Sequence, residues 1–503
     1  MGLELHILIS TILGLLLFIV IKITCKSKAK KINSKLPPGP RKLPLIGNIH
    51  QLGALPHQSL AKLAQQYGPL MHMKLGELSC IVVSSQEMAK EVMKTHDLNF
   101  ANRPPLLAAE IITYGYKGMT FSPHGSYWRQ MRKICTMELL SQKRVESFRL
   151  QREEEIANLV KDITLSEGSP INISEKLDSF AYGLTSRTAF GAQIEGKEKY
   201  RKLMKDVSKM AGGFSLADLF PSIGILQVLT GLRQRIEKLH REMDEILENV
   251  VRNHKQKNLE TRDKEEIGED LVDVLLKLQK DSDLEHPLLD NVVKATILDI
   301  FSAGSDTTFT ILEWAMSELI KNPQIMQKAQ AEVRGVYNEK GYVDEPNLHK
   351  LTYLKSIIKE TMRLHTPVPL LLPRQCNEKC KINGYEIPAK CKVIVNAWSI
   401  GRDSRLWIKG ENFVPERFIN SSVDYKGVDF EFIPFGAGRR ICPGMAFGIA
   451  NLEISLANLL YHFDWKMLNG DKADQLDMTE SFGLTVRRKN DLWLVPTTYY
   501  SSC

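Results

Sequence analysis

Cysteine is scarce. Eight in 503 residues, irregularly spaced, make no disulfide framework, which points to a reducing compartment. Cys376 and Cys380 stand four apart, but no second pair at metal-ligand spacing follows, and Cys391 is the only near neighbour. Free thiols in strands and turns are the better reading than zinc. The chain also lacks internal repeats and interior linkers, so one large domain is expected where length alone would allow three. The net charge of +8 is mild and the basic residues of the body are scattered, so a nucleic-acid face is not implied. No nucleotide-binding Gly-rich fingerprint is present, so the sequence offers no dinucleotide site of that kind.

At the N-terminus, Leu3 to Thr24 is almost wholly apolar, broken by Glu4, His6 and Lys22, and Lys26, Lys28, Lys30, Lys31 and Lys35 follow. Charge after the apolar run, without a small-residue cleavage site, predicts an uncleaved single-pass membrane anchor over 1–25 with the body left in the cytosol. The triplets at Asn172 and Asn420 would then never meet the glycosylation machinery. Leu36-Pro37-Pro38-Gly39-Pro40 cannot continue a helix and closes a basic, proline-rich hinge over 26–40, leaving 41–503 as the body. Within the body, alternation predicts a strand pair at 70–84 around Gly76-Glu77 and a second β-rich patch at 380–395. Most of the rest reads as helix, with 252–270 a charged, solvated loop. The fold class is therefore mainly α with a small β lobe.

Chemistry concentrates in Phe435-Gly-Ala-Gly-Arg-Arg-Ile-Cys-Pro-Gly444. Gly436 and Gly438 allow a tight turn, Gly444 lets the backbone lie flat, and Pro443 suits the first turn of a helix running to about His462. Cys442 would sit at that helix N-terminus, where free N–H groups favour a thiolate. Spacing alone yields a metal-binding loop. With the phenylalanine, glycines, arginine and cysteine at their fixed offsets, the stretch resembles the haem-binding signature of the cytochrome P450 superfamily, in which haem iron is held by a Cys thiolate. The resemblance implies haem b, with Cys442 as axial ligand, Phe435 packed on the sulfur, Gly444 under the macrocycle and Arg440 turned toward a propionate.

Other segments extend the resemblance over nearly the whole chain. Trp128 and Arg132 share a helix face, and they match the family's Trp-x-x-x-Arg element that holds the propionates; Arg374 matches a third position with that task. The segment from Asp290 to Asn322 is helical in pattern, yet Ala303-Gly304-Ser305-Asp306-Thr307-Thr308 puts weak helix formers at its middle, so a local opening is expected. Heterolytic O–O cleavage needs two protons in a pocket that otherwise excludes water. The hexapeptide matches the family's oxygen-activating element, which implies Thr307 as hydrogen-bond donor and Asp306 as proton relay. Glu360 and Arg363, with Arg417 of Pro415-Glu416-Arg417-Phe418, resemble the superfamily's buried charge network. The family also places pocket walls at 104–118, Phe214, Phe301, Ala303, Val368 to Leu371, Phe482 and Leu484. These are mainly apolar, which implies a lipophilic substrate.

Phe-Ala-Asn-Arg-Pro (100–104) and Tyr-His-Phe-Asp-Trp (461–465) look like plant microsomal A-type members rich in terpenoid hydroxylases. That group implies an endoplasmic-reticulum monooxygenase that uses O2 and takes electrons from NADPH through NADPH-cytochrome P450 reductase. Arg129, Lys133, Lys143, Arg144 and Arg439 are the basic face available to that partner. A terpenoid is the first substrate expected, with a terpenoid-derived indole alkaloid or a flavonoid next. Two rivals of other classes are a non-oxygenating haem-thiolate isomerase or dehydratase, in which Asp306-Thr307 would be dispensable, and a haem-binding sensor.

Overall fold

The computed structural model describes residues 35–191, 197–260, 269–468 and 473–500. The anchor expected over 1–25 lies outside them, and among the described residues no helix is long and apolar enough to cross a membrane.

Eleven helices of nine residues or more organise the body: α1 (Pro56–Tyr67), α2 (Ser126–Ile134), α3 (Arg149–Thr164), α4 (Ile173–Phe190), α5 (Lys197–Met210), α6 (Leu232–Glu260), α7 (Leu271–Gln279), α8 (Asp290–Lys321), α9 (Pro323–Tyr337), α10 (Thr352–Leu364) and α11 (Met445–His462). The strands are short: β1 (Leu70–Leu75), β2 (Leu78–Val83), β3 (Ile171–Asn172), β4 (Arg374–Gln375), β5 (Cys380–Ile382), β6 (Tyr385–Ile387), β7 (Lys392–Val395), β8 (Phe463–Met467), β9 (Glu480–Ser481), β10 (Arg487–Arg488) and β11 (Trp493–Thr498). The largest sheet has the order β1-β2-β7-β4. β1 and β2 form the expected hairpin, with Gly76 at φ 58 in its turn, and β7 pairs parallel to β2. Only glycine takes such a backbone angle without strain.

Two helical cores flank α8. Its N-terminal part, from Val292 to Phe301, packs with α2, α4, α6 and α7, while Phe309 to Ile320 packs with α3, α9, α10 and α11. The stretch between belongs to neither core: Ala303 is exposed, and Gly304, Asp306 and Thr307 are half-buried. In a helix enclosed at both ends, such exposure means that the middle faces a cavity.

One expectation is corrected. The charged tract from Arg252 is not a loop at its start, because α6 runs on to Glu260. Its buried Leu239, Met243, Leu247 and Val251 recur at helical spacing, and Lys255, Gln256 and Lys257 are good helix formers that extend it. Asp270, at the other end of the tract, closes a capping box with Asp273 on α7. The proline-rich hinge, in its described part, is pinned to the β lobe: His72 N–H donates to Pro38 O and Glu386 N–H to Lys35 O. Gly39 is required there, since a Cβ would lie 1.9 Å from the His72 carbonyl oxygen.

Candidate active site

α11 ends at His462, as its apolar pattern predicts, but begins at Met445 with Gly444 as its N-cap. Pro443 therefore precedes the helix rather than opening it. Gly436 and Gly438 both have φ near +69 (69 and 68), and a Cβ on Gly438 would lie 2.1 Å from the Met93 carbonyl oxygen. The loop is thus seated directly on the 93–97 segment, and Cys442 N–H donates to Phe435 O at 2.9 Å to close it. Burial pushes the Cys442 thiol pKa up, opposed by the Gly444 N–H and the Arg132 guanidinium. In the protein alone, burial outweighs the helix-terminus effect that favours a thiolate. Phe435 packs at the edge of the larger core, with its ring 5.5 Å from that of Tyr425.

Arginines surround this loop. Arg132 donates to Ile441 O at 2.5 Å, and Arg374 to Ala437 O at 2.8 Å and to Asp97 at 3.0 Å. Arg440 lies 4.3 Å above the Trp128 ring and gives its donors to the carbonyls of Ala101, Met119 and Ser122. Sequence reasoning missed two members, Arg103 and Asp97. Arg103 is 8% exposed and donates to the carbonyls of Thr120, Leu372 and Pro373. Burial first, then Arg440 and Arg374, depress its pKa; burial, Arg374 and Arg132 bring Arg440 down to about 9. Among the described residues Arg103, Arg132 and Arg440 pair with no carboxylate. Four neighbouring guanidinium groups, of which Arg374 alone is paired with a carboxylate, form a site short of negative charge. Two propionates would supply it, so the residues present fit haem.

Across the cavity, α8 runs without the opening its composition predicts. Packing at both ends overrides weak propensity, and the hydroxyls bond back to the preceding turn: Ser305 to Phe301 O at 2.8 Å, Thr307 to Ala303 O at 2.6 Å and Thr310 to Asp306 O at 2.7 Å. A Cβ on Gly304 would be in ordinary contact with Phe447 of α11 and Thr185 of α4, both 3.4 Å away, so the three helices pack closely. The Asp306 carboxylate accepts from Thr485 at 2.5 Å and Ser208 at 3.1 Å and is ion-paired with Arg487. Those three partners line a polar cleft of about 500 Å³ that also holds Arg201, Lys205 and Glu313. Asp306 therefore stands directly behind the wall of that cleft, held by three of the residues that line it.

The Glu360 network is complete. Arg363 donates to both Glu360 oxygens at 2.7 Å, Arg417 adds a bond at 3.0 Å, and Val414 N–H adds one at 2.8 Å. The remaining Arg363 donors reach the carbonyls of Gly401, Gly410 and Asn412. Both Glu360 and Arg363 have fully buried side chains.

Of the pocket residues, Phe214, Val368, Leu371, Phe482 and Leu484 line one narrow space together, with the Phe214 and Phe482 rings 6.0 Å apart. Phe301 does not join them and is corrected to a core residue. It is fully buried, stacked 5.5 Å from Phe190 and edge-on to Tyr182 and Tyr200. A helix turns about 100° per residue, so two positions carry Phe301 to the far side of α8 from Ala303.

The Cytochrome P450 family model matches residues 37–495. Cytochrome P450 71D10 of Glycine max is 55% identical, covering 96% of this chain and 95% of its own. Desmethyl-deoxy-podophyllotoxin synthase of Sinopodophyllum hexandrum is 52% identical, covering 98% and 96%. Tabersonine 16-hydroxylase 2 of Catharanthus roseus is 51% identical, covering 97% of each. A solved zebra fish cytochrome P450 with abiraterone superimposes at a TM-score of 0.74 over 89% of this chain and 100% of that one, at 23% identity. That last likeness concerns the fold, which is mainly helical with small sheets. With a family model spanning almost the whole body and relatives near half identity over full length, the chain belongs to the cytochrome P450 family and is a monooxygenase of that family.

Proposed function

We propose that this monooxygenase hydroxylates or epoxidises a lipophilic plant specialised metabolite, a terpenoid in the first place, with a terpenoid-derived indole alkaloid or a flavonoid as the next candidates. The observation that carries the reading is the apolar lining that Phe214, Val368, Leu371, Phe482 and Leu484 share around a narrow space of about 30 Å³, which suits contact with one end of a lipophilic substrate by shape rather than by ion pairing. Among the relatives, one is named a desmethyl-deoxy-podophyllotoxin synthase, one a tabersonine 16-hydroxylase and one, of Salvia pomifera, a salviol synthase.

Haem, when bound, supplies the redox chemistry that activates dioxygen, one atom going to the substrate and the other to water. Cys442 would hold its iron, and Trp128, Arg132, Arg374 and Arg440, with Arg103, its propionates. Asp306 takes protons from the polar cleft, its carboxylate being held there by Thr485, Ser208 and Arg487. Thr307 keeps a donor hydroxyl on the cavity-facing stretch of α8, parked on the Ala303 carbonyl until a better acceptor arrives. The apolar walls exclude bulk water, so protons enter by this pair.

Electrons come from NADPH through NADPH-cytochrome P450 reductase, docking on Arg129, Lys133, Lys143 and Arg439. Arg144 is less available, being engaged with Glu269. The enzyme resides in the endoplasmic-reticulum membrane through 1–25, its body in the cytosol; exposed Ile225, Val228 and Leu229 offer a further apolar surface.

The test is the reduced, CO-bound absorption spectrum of the microsomal protein beside Cys442→His, followed by a terpenoid and alkaloid screen read as a spin-state shift. A red-shifted thiolate Soret band in the native protein alone, and a shift with a terpenoid, are expected. A folded, haem-loaded native protein without that band would overturn the thiolate assignment.

A further inference from the structure

The narrow space beneath the 211–214 turn, about 30 Å³ and so large enough only for one small end group of a ligand, is walled by that turn, the 368–371 segment and the 482–484 segment, all with apolar side chains or glycine. One lining residue differs in kind. Lys392, on the central strand β7, is 3% exposed and contributes the only charged side chain of the lining. Its Nζ donates to Gly213 O at 2.9 Å and lies 5.0 Å from the centre of the Phe214 ring.

An ammonium carries three donors, and Gly213 O is the single hydrogen-bond acceptor it has among the described residues. Among the described residues no carboxylate is within ion-pair distance of it. The nearest one whose field reaches it, Asp218, already accepts from Leu107 N–H at 3.0 Å and the Ser215 hydroxyl at 2.6 Å. Burial depresses the Lys392 pKa, with the opposing fields of Cys80 and Asp218 the smaller influence. Local structure does not explain the cation. In register, Lys392 faces Cys80 on β2 and Gln375 on β4, and Ile394, two residues on, lines the same space. An aliphatic side chain would continue that surface without desolvating a charge.

We infer that Lys392 is a specificity-determining residue whose free N–H groups bind an oxygen acceptor on the substrate, a carboxylate most strongly and a carbonyl in a neutral molecule. This rests on the reading of the space as part of the substrate site and sharpens the substrate class. The ligand is an oxygenated lipophile, not a bare hydrocarbon. It is held by its polar end at the 211–214 turn, and the carbon to be oxidised lies elsewhere on the skeleton. A protonated amine at that end is excluded by like charge, which favours oxygenated terpenoids over basic alkaloids bound in the same orientation.

The experiment uses the full-length holoenzyme in microsomes and two probes with one skeleton, dehydroabietane and dehydroabietic acid, titrated by spin-state shift against wild type, Lys392→Met and Lys392→Gln. The wild type is expected to bind the acid about 10–100-fold more tightly than the hydrocarbon, as suits a charge-assisted hydrogen bond. Lys392→Met is expected to bring that ratio to about one or below with the thiolate Soret band intact, and Lys392→Gln, which keeps a neutral donor, to retain part of it. A purely structural role would change both affinities together and leave the ratio unmoved. An unchanged ratio in both variants overturns the proposal while leaving the pocket reading in place. No shift with either probe in any of the three proteins, with the Soret band intact, overturns the pocket reading and the proposal together. If Lys392→Met fails to incorporate haem, the ratio in Lys392→Gln decides.

Discussion

Two clusters of arginine, one around Glu360 and one around the Cys442 loop, differ in charge balance. Around Glu360, the guanidinium donors of Arg363 and Arg417 meet two carboxylate oxygens and the carbonyls of the 401–412 segment. Of Arg103, Arg132, Arg374 and Arg440, Arg374 alone is paired with a carboxylate among the described residues, that of Asp97, and burial with mutual repulsion depresses Arg103 and Arg440. The first cluster is finished when the chain folds. The second is finished only when an anion arrives. A complete network therefore reads as framework, and an incomplete one reads as a binding site.

Breaking the complete network should have the largest effect. Arg363→Ala leaves Glu360 buried with too few partners, at a cost of about 3–5 kcal/mol. Little haem-loaded protein should accumulate, as measured by the CO-difference spectrum per milligram of expressed chain; full loading would make the two clusters equivalent after all. Arg440→Gln should act in the opposite sense on the apoprotein, relieving repulsion and leaving its melting temperature unchanged or higher. The same change should hasten haem transfer to apomyoglobin by about 10–100-fold. If apoprotein stability falls with haem retention, the second cluster is framework too.

Thr307→Ala touches neither cluster. It should preserve haem content while raising peroxide released per NADPH consumed several-fold, and tight coupling in that variant would remove Thr307 from proton delivery. The smallest effect concerns Glu313, which lies between the two extremes. One of its oxygens accepts from Ser174, the other has no partner among the described residues, and burial raises its pKa to about 7. The neutral form is the one the fold favours, so its contribution is present below the ordinary carboxyl value of 4.5 and is lost as pH rises through about 7. Between pH 5 and 8 the wild type should lose about 1–3 °C of melting temperature that Glu313→Gln does not.

Much of this was legible in sequence where chemistry demands residues at fixed offsets. The Cys442 loop, the end of α11 at His462, the β1–β2 hairpin and the Glu360–Arg363 pair are of that kind, each set by neighbours close in the chain. Arg103 and Asp97 were not legible as site residues, because their partners at 372–374 lie more than 260 residues away. Phe301 was misassigned because its apolar character is visible while its position around the helix is not. The straight course of α8 reflects packing on α4 and α11, which propensity cannot report. Lys392 was passed over inside an apolar strand pattern, since its isolation depends on the 211–214 turn closing over it.

The parallel pairing of β2 with β7 also sets an order of events. Cys80 reaches its partner Lys392 across more than three hundred residues, so the central sheet cannot close until most of the chain has been synthesised. Translation at roughly 5–20 residues per second separates the two strands by some 15–60 s, and the Cys442 loop emerges later still. Haem capture is therefore one of the last steps of biogenesis. During that interval the early strands β1 and β2 carry an unpaired edge, so chaperone supply and translation rate join final stability in setting the yield of active enzyme.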